Sequence, residues 1–100
     1  MAKQVIWSFR AQSDRKEILD YWRQRNKSTS YCKKLNQLFK ESIKIIADFP
    51  KIGRSTNDFN IRVKIVKDYL IIYEETATQI LILTIWDGRQ DPEKLHKILK

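Results

Sequence analysis

The spacing of apolar residues changes period along this chain, and each change marks a predicted element. Lys3–Phe9, KQVIWSF, is short, β-branched and aromatic, and predicts a strand. Ser13 is placed to cap the next segment, DRKEILDYWRQR, where Ile18, Leu19 and Trp22 stand at helical spacing among charges. Asn26-Lys27-Ser28 breaks that pattern, and Ser28 or Ser30 can cap a second, longer helix. In it Tyr31, Leu35, Leu38, Ser42, Ile45, Ile46 and Phe49 step by threes and fours. The helix must stop before Pro50, because the residue ahead of a proline disfavours the helical backbone. Tyr21–Phe49 therefore reads mostly as a helical hairpin with one apolar face.

Pro50–Asn60, PKIGRSTNDFN, is rich in turn-formers and reads as a loop. Beyond it the period falls to two, with Ile61, Val63 and Ile65 alternating with Arg62, Lys64 and Val66. Lys67-Asp68 makes a tight connection to a second strand, Tyr69–Glu74. Glu75–Thr78 turns again into Gln79–Trp86, which is nearly all apolar and so expected inside the sheet. Asp91 and Pro92 have the chemistry to start a short C-terminal helical turn, with Leu95, Ile98 and Leu99 on one face. The order β-α-α-β-β-β predicts one α+β domain over 1–100, a two-helix hairpin packed on a twisted antiparallel sheet. The uncovered face of that sheet is expected to display Arg62 and Lys64.

Charge adds a second constraint. Twenty Lys and Arg against twelve Asp and Glu give +8, with a pI near 9.7, so anionic partners are favoured over a merely solubilising surface. The excess lies in the front half: Met1–Lys27 carries +4, Ser28–Asn60 +3 and Ile61–Lys100 only +1. No apolar run approaches the ~20 residues a membrane span needs, and the N-terminus does not read as a signal peptide. One cysteine, Cys32, and one histidine, His96, exclude an internal disulfide and a Cys/His zinc site. The expectation is a cytoplasmic protein without metal or cofactor.

One histidine and no Gly-x-Ser-x-Gly elbow leave the hydrolase-triad reading almost empty, and Gly53 and Gly88 are too far apart to form a phosphate-cradling loop. What remains is cationic. Arg54, Arg62, Lys64 and Arg89 fall in the loop, on one strand and at the mouth of the last strand. If Arg62, Lys64 and Arg89 converge on one groove, they can hold phosphates or stabilise charge developing in RNA cleavage. Each also has a plain reading, as a solvated strand charge or, for Arg89, an ion pair with Asp87 or Asp91. Tyr69 and Tyr73 share parity and could offer a stacking platform, although Ile71 between them argues for a buried face. Trp22, Tyr31 and Trp86 read as packing residues.

In order and spacing, VIWS, ILDYW, ADFPKIGRS, IRVKIVKDYLIIYE and ILILTIWDGRQDP resemble the RelE/ParE toxin superfamily, from about Val5 to Leu95. These are the toxin halves of type II toxin–antitoxin modules, also described as plasmid stabilisation proteins. The resemblance implies a cognate antitoxin that wraps the toxin in a hetero-oligomer; the lack of a long apolar run gives the expectation of no membrane partner. The resemblance also implies one of two targets. RelE-like members enter the ribosome and cut mRNA; ParE-like members poison DNA gyrase. By this resemblance Arg62 and Lys64 match two basic strand residues of the nucleases, and Arg89 matches a catalytic arginine past the last strand. Two nuclease positions differ: Leu70 stands where a strand arginine is usual, and Leu95 where a tyrosine is usual. The WS start and the PKIGR loop are closer to ParE-like members. Gyrase inhibition is therefore expected ahead of mRNA cleavage, with a non-catalytic basic nucleic-acid-binding module as the reading outside the family.

Overall fold

The computed structural model describes residues 3–26, 30–56 and 60–88. Strand β1 (Gln4–Trp7) leads into helix α1 (Phe9–Asn26) and helix α2 (Ser30–Asp48). A 3₁₀ turn (Pro50–Ile52) and the two-residue strand β2 (Arg54–Ser55) come next, then β3 (Ile61–Val66), β4 (Tyr69–Glu75) and β5 (Gln79–Asp87). The five strands form one sheet in the order β1-β5-β4-β3-β2. This is the expected α+β architecture, with a helical hairpin against a sheet. The expected C-terminal helical turn lies outside the described residues.

The sheet is mixed rather than wholly antiparallel, since β1 pairs with β5 in parallel. Chain direction explains this. α1 runs from Asp14, at Thr84 and Ile85, to Trp22, whose Nε1 donates to the Tyr69 hydroxyl at 2.7 Å. That is the end at which β5 finishes, because Tyr69 pairs with Asp87. α2 returns the chain to the start of β1, where Lys3 N donates to Ala47 O at 3.2 Å. β3 thus begins at the same end as β1, and β5, two reversals later, runs the same way. A helical crossover is what a parallel pair requires.

Helix α1 begins earlier than the sequence suggests. Ser8, not Ser13, is the cap: its Oγ accepts from Ala11 N at 3.0 Å and donates to Leu83 O at 2.8 Å. β1 pairs only as far as Ile82, so the upper edge of β5 would be open. The Asp14 carboxylate closes it, accepting from Ile85 N at 3.3 Å and from the Thr84 hydroxyl. Lys3 fixes the other end, donating to Glu75 at 2.8 Å and to Thr76 O at 2.6 Å.

Core side chains come from Leu35, Phe39, Ile43 and Ile46 of α2 and from Tyr69, Ile71, Tyr73, Ile80, Ile82 and Ile85 of the sheet. The buried stripe of α2 is Cys32, Leu35, Phe39, Ile43, Ile46 and Ala47. It is rotated from the predicted stripe, because Ile45 and Phe49 point outward. The hairpin is sealed by aromatic packing of Trp22 on Tyr31, ring centroids 4.9 Å apart, as read from the sequence. No described helix is long and apolar enough to cross a membrane.

Candidate functional site at the end of the second helix

The predicted cations are placed by β3. Arg62 pairs with Tyr73, Lys64 with Ile71 and Val66 with Tyr69, so all three share the face that carries the helices and the core. This reverses the expectation that Arg62 and Lys64 occupy the uncovered face. Alternation in IRVKIV shows that two faces exist, and Val66, buried at the end of the Arg62-Lys64 parity, decides which one faces the helices. Nor is the opposite face bare: Ile72 is buried there, and Trp86 lies opposite Leu70 with little exposure. Arg54 pairs with Val63 and belongs to that opposite face, apart from Arg62 and Lys64.

Arg62 has a structural task. Its Nη1 donates to Gly53 O at 2.9 Å and to Lys51 O at 3.4 Å, tying β3 to the 3₁₀ turn. Beside it the Tyr73 hydroxyl donates to Pro50 O at 2.7 Å and accepts from Gly53 N at 2.9 Å. Tyr73 is fully buried, and burial pushes its pKa above the ordinary 10.0, against the pull of the Gly53 N–H and the Arg62 charge; Glu75 adds to the rise. Gly53 has no room for a side chain, since a Cβ there would collide with the Tyr73 hydroxyl and ring. Tyr73, Arg62 and Gly53 therefore form a latch that holds the turn after α2 onto the sheet.

Tyr69, offered as a stacking platform, is buried instead, 3 % exposed. Its hydroxyl accepts from Trp22, and its ring meets Phe39 edge-on with centroids 5.8 Å apart. It sits at the far end of β3 from Arg62, roughly 13 Å away at the rise of a strand. Arg89 lies outside the described residues, and so does its convergence with Arg62 and Lys64. Near the end of β5 the structure has a groove of about 400 Å³ lined by Arg10, Asp14, Glu17, Tyr21, Trp86 and Asp87. Among the described residues its carboxylates outnumber the cations, which suits a phosphate poorly.

The sequence reading missed the apolar corner beside the latch. Ile45, Phe49 and Ile52 are 41 %, 65 % and 48 % exposed, and they succeed one another through the hydrogen bonds Phe49 N to Ile45 O and Ile52 N to Phe49 O. Lys44 and Lys51 are their neighbours in the chain, Arg62 donates to Lys51 O, and Lys64 shares the Arg62 face of β3. The available signal was an excess: α2 holds more apolar positions than one core-facing stripe accommodates.

No curated protein matches the chain. Among solved structures it is similar to a chain of the chromosomal ParDE toxin–antitoxin system from P. aeruginosa, with a TM-score of 0.73 at 17% sequence identity. That match covers 86% of this chain and 96% of the other, and shows a shared fold. Residues 5–92 match the family described as ParE toxin of the type II toxin–antitoxin system, parDE. With a match across nearly the whole fold, from β1 through β5, this chain belongs to the ParE toxin family.

Proposed function

We propose that this chain is the toxin of a two-protein module, held silent by a cognate antitoxin, and that when free it inhibits DNA gyrase. The observation that carries the toxin reading is the family match over residues 5–92. The choice of gyrase rests on how the residues suited to cutting mRNA are used. Arg62 is bound to the carbonyls of the turn, Tyr69 is buried under Trp22, and Leu70 carries no charge to clamp a phosphate. Catalysis needs contacts that are stronger in the transition state than in the ground state, and the hydrogen bonds of Arg62 and Tyr69 are made within the fold.

Expression in a bacterial host, with and without the neighbouring open reading frame, tests this. The expected result is growth arrest with a DNA-damage response and intact mRNA, relieved by the neighbour. Cuts in mRNA at ribosome positions would move the chain to the nuclease reading. Growth unaffected by abundant folded protein would leave a basic binding module.

A further inference from the structure

We infer that the corner formed by Ile45, Phe49 and Ile52 is a docking surface for an acidic protein segment whose apolar side chains seat on this ridge. The inference rests on the toxin reading, and the segment is assigned to the antitoxin. α2 carries two apolar stripes. One is spent on the core; the other runs outward through Ile45 and Phe49 and is extended by Ile52. Three large apolar side chains side by side and about half exposed are more than scattered surface hydrophobics. The latch of Tyr73, Arg62 and Gly53 holds Ile52 in place, so the ridge is preorganised.

The surrounding charge selects the partner. Lys44 and Lys51 adjoin the ridge residues in the chain, Arg62 donates to Lys51 O and Lys64 shares the Arg62 face of β3, and none of these cations forms a salt bridge among the described residues. Within α2 the acids nearest the ridge in sequence are Asp48 and Glu41, the latter hydrogen-bonded to Gln37. A second copy of this chain would bring another +8 against the same cations. Nucleic acid would satisfy the cations and leave the ridge uncovered. A polypeptide with apolar anchors flanked by carboxylates satisfies both, with the apolar contacts supplying affinity and the charges speeding encounter.

The test uses the purified full chain and the product of the adjacent open reading frame, with Kd measured at low and high salt. Phe49→Glu is expected to weaken binding by about 30-fold or more, the effect of losing a central aromatic anchor. Lys51→Glu combined with Lys64→Glu is expected to flatten the salt dependence. Phe49 is exposed, so melting temperature and circular dichroism should match wild type and separate lost docking from lost folding. Phe9→Glu serves as the comparison: Phe9 is 92 % exposed at the start of α1 and should bind as wild type does. If Phe49→Glu binds normally, or Phe9→Glu alone is impaired, the docking surface lies elsewhere and the inference falls while the toxin reading stands. If wild type does not bind the neighbour's product at all, the antitoxin reading falls first. A dimer of this chain that dissociates on Phe49→Glu would assign the ridge to a second copy and overturn the proposal.

Discussion

Replacing Tyr73 by phenylalanine tests the latch behind the candidate site. The ring is fully buried, so Phe keeps the packing and removes only the hydroxyl. Two partners are then stranded: the Gly53 N–H, at 2.9 Å, and Pro50 O, at 2.7 Å. An unpaired buried polar group costs about 1–3 kcal/mol. Pro50 is only half-buried, so water recovers part of its share, and the net loss should be about 2–3 kcal/mol. For a chain this size that lowers the melting temperature by roughly 10–20 °C, readable by calorimetry or circular dichroism. The pH dependence gives a second readout. Burial raises the Tyr73 pKa above 10.0, so the folded state holds the proton more tightly than the unfolded chain does. That contribution is complete below about pH 10 and is lost as pH rises through the folded pKa. Tyr73→Phe should therefore lose less stability than wild type on going above pH 10. A variant melting within about 3 °C of wild type, with the same alkaline profile, would refute the latch, since ~0.5 kcal/mol is too little for two stranded groups.

Other perturbations separate fold from function. Asp14→Ala leaves the Thr84 hydroxyl and Ile85 N–H without their carboxylate, and should cost about 2 kcal/mol in urea unfolding. Lys67 holds a left-handed backbone at φ 57° in the β3–β4 turn, so Lys67→Gly should raise stability by about 0.5–1 kcal/mol despite glycine's added chain entropy. Arg62→Met keeps the aliphatic stem and loses the bond to Gly53 O; it should cost about 1 kcal/mol and keep toxicity at a temperature where it is folded. Toxicity lost at unchanged stability would instead place Arg62 against the target.

The sequence revealed elements more readily than faces. α2 was recognisable because Leu35 and Ile46 keep helical spacing, yet its orientation was off: Phe39 and Ile43 are buried while Ile45 and Phe49 face out. A helix with apolar residues around much of its circumference does not say which stripe meets the core. β3 was legible as a strand for the same local reason, and its face was not, because the pairing of Arg62 with Tyr73 is set by a register that no single strand encodes. The parallel β1–β5 pair depends on where α2 ends, at Lys3, a contact between distant residues. β2, with two residues inside a turn-rich loop, is too short for any periodicity. Tyr69 was offered for stacking on parity alone, and Ile71 on the same parity marked the face that proved buried.

The central claim is that the free protein acts on gyrase while Arg62 serves the fold. Its most direct test is a titration of the purified chain into a gyrase supercoiling reaction, run beside a translating-ribosome assay on the same preparation. Dose-dependent loss of supercoiling with uncut mRNA is the predicted result; mRNA cleavage with supercoiling untouched would contradict it.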